Sequence, residues 1–81
     1  MHTTLITNKP KGALQATLLA AKSGDRIIYH VGPHCGGVHR EDARKAYDAG
    51  LAILTTRRLT AGMFEHIAIR TKSEIPQSDN G

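Results

Sequence analysis

The sequence predicts a small α+β domain of order helix, strand, helix, strand, strand, with two helices on one face of a three-stranded antiparallel sheet. Three observations predict it. Leu14, Leu18 and Ala21 recur at helical spacing, a second amphipathic segment follows at 40–49, and from Leu51 the apolar spacing changes to two. With 81 residues, 40% of them hydrophobic, the chain is long enough for one domain with a thin core, which favours dimerisation or a partner surface. Residues 1–72 read as the domain and 73–81, "SEIPQSDNG", as a flexible polar tail.

Residues 10–23, "PKGALQATLLAAKS", form the first predicted helix, with Pro10 in its first turn and Gly24 as terminator. "DRIIYHVG" reads as a strand with Ile27, Tyr29 and Val31 on one face and Ile28 and His30 on the other. Gly32 and Pro33 end it. "REDARKAYDAG" reads as the second helix, over 40–49, with Glu41 and Asp42 at the positive end of its dipole. Ala43, Ala46, Tyr47 and Gly50 are expected on its inward face, while Arg40, Arg44 and Lys45 face outward. "LAILTTRRL" and "MFEHIAIRTK" are expected to pair as a hairpin around "TAG". Tyr29, Tyr47 and Phe64, the three aromatics, are expected to anchor the core; three are too few for a base-stacking platform.

The net charge is +4, and because the tail carries Glu74 and Asp79 without a base, residues 1–72 carry +6. That sign points to nucleic acid or another acidic partner and argues against an acidic DNA mimic. A single cysteine excludes an internal disulfide and suits a reducing cytosol. "MHTTLITNKPKG" lacks the layout of a signal peptide, and "ALQATLLAA" is too short to span a bilayer. A soluble, cytoplasmic protein without membrane association is expected.

The hairpin phrases "LAILTTRRL" and "FEHIAIRT", together with "SGDRIIYHVG" and "ARKAYDAG", resemble winged-helix domains, the helix-turn-helix variant with a terminal hairpin as its wing. They are also similar to short phage and prophage proteins of comparable phrase order. The resemblance covers roughly residues 12–72 and implies a winged-helix-like fold, in a group with no assigned catalytic activity. A full winged helix has a support helix before its recognition helix, whereas "PHCGGVHREDARKAYDAG" has room for one good helix and a turn at 33–38.

"YHVGPHCGGVHRED" concentrates candidate chemistry in fourteen residues. His30, His34, Cys35 and His39 are zinc-ligand types, but no C-x-x-C pair occurs, and adjacent His34 and Cys35 diverge in most backbones. Cys35, followed by two glycines, lacks an evident base and orienting group for a nucleophile. No phosphate loop, metalloprotease or serine-elbow motif occurs in the sequence. A glycine-rich corner between strand and helix accounts for more of these letters than a metal site does. His66, alternating with Phe64 and Ala68, reads as a half-buried structural histidine.

The candidate nucleic-acid contacts are Arg40, Arg44 and Lys45 on the second helix and Arg57, Arg58 and Arg70 on the hairpin. Segment 40–49 is charge-neutral, and its pairs Glu41–Lys45 and Arg44–Asp48 suit a solvated face equally well. Residues 57–72 carry +3, and Arg58 and Arg70 are expected near each other across the hairpin. The leading expectation is a non-enzymatic, cofactor-free, regulatory protein that binds double-stranded DNA, with dimerisation supplying further contacts. The alternative is a protein-interaction module directed at a host protein through an edge strand or an apolar patch near Leu51–Leu54 or Met63–Phe64. A zinc-dependent small fold is the third reading.

Overall fold

The computed structural model describes residues 2–34 and 36–72. The elements are β1 (Thr3–Leu5), α1 (Ala13–Ala20), β2 (Arg26–Gly32), α2 (Arg40–Asp48), β3 (Ala52–Thr60) and β4 (Met63–Arg70). The α+β class agrees with the sequence expectation. The order and the sheet differ from it, because β1 adds a fourth strand parallel to β2 and makes the sheet mixed, with strand order β1-β2-β4-β3. A three-residue strand shows too little alternation to be read from sequence. Here the amide of Ile6 donates to Ile28 O and that of Arg26 to His2 O, extending the pairing at both ends.

Helix α1 is shorter than the 10–23 predicted. Gly12 precedes it with φ +98°, a left-handed conformation that starts the helix after the Pro10 turn, and Ala21 is already extended. Gly24 lies beyond the helix, in the turn to β2, where its amide donates to Arg70 O. Helix α2 ends as expected at Gly50. The amide of Gly50 donates to Tyr47 O and that of Leu51 to Ala46 O, a Schellman closure that needs the positive φ of Gly50.

Both helices lie on one face of the sheet. Leu14 and Leu18 from α1, Ala43 and Ala46 from α2, and Leu51 pack on Ile27, Tyr29, Ala52 and Ala68 of the sheet, with Ile6 completing the core. The small alanines of α2 let its backbone approach the sheet closely. Tyr47 does not join them: it is 55% exposed, and Gly50 is exposed as well. Of the three expected aromatic anchors only Tyr29 is fully buried, and Phe64 is half-buried.

Strand β2 departs from simple alternation. Ile28 pairs with Ile67 and His30 with His66, so Tyr29 is the extra residue of a β-bulge. The bulge turns Tyr29 and His30 both toward the helices, and sends Val31 to the opposite face beside Glu65. That opposite face collects Leu5, Ile28, Val31, Ile53, Ile67 and Ile69, as the registers across the four strands require.

Leu14 and Leu18 are fully buried. Leu18→Ala should therefore destabilise the fold by about 2–5 kcal/mol in urea denaturation, whereas Leu19→Ala, on the exposed side of the same helix, should cost less than about 0.5 kcal/mol.

Candidate functional site

The start of α2 is tied to the segment leading into α1. The ring of His39 is buried, and its Nε2–H donates to Ile6 O at 3.0 Å. The Asp42 carboxylate accepts the Gly12 N–H at 3.0 Å, and Lys11 Nζ lies 3.2 Å from Glu41 Oε1. Glu41 and Asp42 thus act across to α1, and the expected Glu41–Lys45 pair is replaced by Lys11–Glu41. The hydrogen bond and charge of Lys11 hold the Glu41 carboxyl below its ordinary range, with Lys45 adding a smaller effect. The expected Arg44–Asp48 pair does form, at 3.5 Å and exposed.

These ties use the acids of the helix and leave its cations outward. At helical pitch Arg40, Arg44 and Tyr47 stand at i, i+4 and i+7, within about 60° of arc. Arg40 has no ion pair among the described residues. Lys11, Gly37, Val38, Arg40, Glu41 and Arg44 line an open groove of about 600 Å³ at this end of the helix. Because His39 bonds to Ile6 and makes no side-chain cap, the first-turn amides of α2 are left uncapped by it next to that groove. Lys45 is separated from the two arginines: it borders a different groove, with Gln15, Asp42 and Leu51, toward α1.

The hairpin splits the remaining cations. Arg58 is opposite Phe64, on the helix side of the sheet. Arg57 is opposite Glu65 on the other face, with Nη1 3.8 Å from Glu65 Oε1. Both are exposed on the edge strand β3. Arg70 is not the neighbour of Arg58 that the sequence suggested. It pairs with Ala52 at the far end of the hairpin, six residues along β4 and about 20 Å away at strand rise. Its guanidinium is engaged there, Nε donating to Leu18 O at 3.0 Å and Nη1 to Thr71 O at 2.9 Å. Arg70 therefore holds the end of α1 against the sheet.

Among the described residues of the histidine-rich corner, His30 and His39 are packed against their neighbours. The His30 ring packs between Gly32 and Gly37: a Cβ on Gly32 would lie 3.1 Å from His30 Nε2, and one on Gly37, at φ +77°, 2.9 Å from His30 Nδ1. The other side of the ring meets His66, centroids 5.4 Å apart, and Tyr29 flanks His66 at 6.4 Å. His34 is exposed and His39 points into the core. Among the described residues no three His, Cys, Asp or Glu side chains converge as metal ligands, and Cys35 and residues 73–81 lie outside them. No helix among the described residues is long and apolar enough to cross a membrane. Comparison with protein-family models, curated proteins and solved structures finds no match.

Burial lowers the pKa of His66, the nearby charge of His30 lowers it further, and a hydrogen bond with the Gly32 backbone partly opposes them. The unfolded chain takes up this proton near the ordinary value of about 6.5, while the folded chain resists it to lower pH. The stability contribution is thus complete above about 6.5 and declines as pH falls through the lowered value. The guanidinium midpoint should fall between about pH 7.5 and about pH 5.5, and His66→Gln should reduce that dependence. A midpoint equally pH-dependent in wild type and variant would assign the loss to another group.

Proposed function

We propose that this chain is a small, non-enzymatic double-stranded DNA-binding protein of the phage-type, regulatory kind. In this reading α2 approaches the duplex with its Arg40–Arg44–Tyr47 stripe, and β3 reaches the backbone with Arg58, as a winged helix uses its wing. The observation that carries the reading is the outward stripe: the helix's two leading acids are turned to Lys11 and Gly12, and both arginines border one groove. Uncapped amides at the start of α2 add donors suited to phosphate oxygens, and the body charge of +6 supplies attraction at longer range. The resemblance of the hairpin to winged-helix wings supports the same assignment.

The departures from a full winged helix shape how such binding would work. Residues 33–34 and 36–39 bend and turn ahead of α2 without forming a support helix. The stripe offers two arginines and a tyrosine, groups suited to phosphate and sugar, and few side chains for reading base edges. Binding is therefore mostly electrostatic and tolerant of sequence. Arg57 and Arg70 take lesser parts than the sequence alone suggested, one facing the other side of the sheet and one engaged with α1. Lys45 contributes from the flank.

Fluorescence anisotropy of a mixed-sequence duplex, titrated at several salt concentrations, tests this. Affinity should fall steeply with salt. Arg40→Ala with Arg44→Ala should reduce the slope of log K against log salt by about two, and Arg58→Ala by about one. Binding that is absent at low salt, or that keeps its full slope in these variants, would refute the assignment.

A further inference from the structure

The helices cover one face of the sheet, and the other face is unusually apolar for a surface. Its three rows are Thr3–Arg26–Ile69–Ile53, Leu5–Ile28–Ile67–Thr55 and Val31–Glu65–Arg57, each read directly from the strand registers. A sheet with one solvated face normally carries polar residues there. Here six branched aliphatics share it, with Leu5 57%, Ile53 56% and Val31 37% exposed. No described element packs over them: the buried core lies wholly on the helix side, and Ile67, though buried, is not part of it. Contiguous apolar surface of this kind marks an interaction site.

Charge on the same face indicates the occupant. Arg26 stands in the first row and has no ion pair among the described residues. Glu65 stands in the third, about 13 Å along β4 from the residue that pairs with Arg26. Glu65 Oε1 is buried with no hydrogen-bond donor, Arg57 staying 3.8 Å away. A two-fold axis in the plane of this face, running across the strands through the Leu5–Ile28–Ile67 row, exchanges the first and third rows. It lays Arg26 of one copy over Val31 of the other, offset sideways by one strand spacing of about 5 Å from the second copy's Glu65. The long arginine side chain bridges the sheet separation of about 10 Å. The face is thus complementary to itself in its aliphatic rows and in two Arg26–Glu65 pairings, while Arg57, beside its own Glu65, lies over Ile53 of the other copy at the edge strand.

We propose that the outer sheet face is the interface of a homodimer, in which the two sheets pack face to face and Arg26 of each copy pairs with Glu65 of the other. The four resulting layers are helix, sheet, sheet, helix. Both α2 helices then lie on the outside, facing away from each other, so the dimer presents its two basic stripes on opposite sides. The inference rests on the sheet face alone and stands whether or not α2 binds DNA. The association is non-covalent, so the dimer's population depends on concentration.

Sedimentation velocity of the full chain, from roughly 1 μM to 1 mM, tests it across the range of weak complexes. The wild type should pass from monomer to dimer. Leu5→Lys with Ile53→Lys, both at exposed positions, should remain monomeric with an unchanged circular dichroism spectrum. Arg26→Glu should weaken the dimer by at least about tenfold by setting like charges against each other. Leu19→Lys, on the helix side, should match the wild type. A wild type that is monomeric throughout overturns the proposal, including the case in which another protein covers the face. A dimer unaffected by Arg26→Glu also overturns it, and decides the matter should the double-lysine variant not fold.

Discussion

The arrangement depends on how the first turn of α2 is held. Three contacts tie it to the chain between β1 and α1: His39 to Ile6 O, Asp42 to the Gly12 amide, and Glu41 to Lys11. The first is buried, and there the Ile6 carbonyl accepts from the His39 ring as well as from the Lys9 amide. The other two are exposed, so their effect is on orientation more than on stability. Together they set the rotation of α2 about its axis. That rotation puts Ala43 and Ala46 against the sheet and leaves Arg40, Arg44 and Tyr47 in solvent.

The same ties explain why a helix of zero net charge can present a basic surface. Net charge sums over a cylinder, whereas a partner meets one side of it. The acids of α2 are not distributed evenly: Glu41 and Asp42 meet Lys11 and Gly12, and Asp48 remains beside Arg44. An exposed pair such as Arg44–Asp48 is weak, and a phosphate can compete for that arginine.

Much of the fold was legible in the sequence, because period and punctuation report local structure directly. The second helix, its glycine stop, the central strand and the hairpin all lie close to where spacing and glycines indicated. Elements and contacts that depend on distant partners were not legible. The strand β1 is three residues long and exists through pairing with β2. The bulge at Tyr29 reverses the face of Val31, and nothing in "RIIYHVG" marks it. Tyr47 fits a helical stripe with Ala43 and Ala46, yet the close approach of the alanines leaves its ring outside. Arg70 looks like a free cation in sequence and is drawn to Leu18 O by a contact 52 residues away. Of the six expected nucleic-acid contacts, Arg57 is on the outer face; Arg40, Arg44 and Arg58 stand exposed on the helix side, where Lys45 borders the groove toward α1 and Arg70 is engaged with Leu18 O.

The proposed reading gives the two faces of one sheet separate uses: a helix side with Arg40, Arg44 and Arg58 exposed, and an outer side on which aliphatics outnumber charges. Amide chemical-shift mapping of the labelled protein with a short duplex at low salt separates the two faces. Shifts should concentrate on α2 between Arg40 and Tyr47, around Gly37 and at Arg58, with Leu5, Ile28 and Ile67 unmoved. Shifts centred on Leu5, Ile28 and Ile67, or none anywhere at low salt, would contradict the proposed reading.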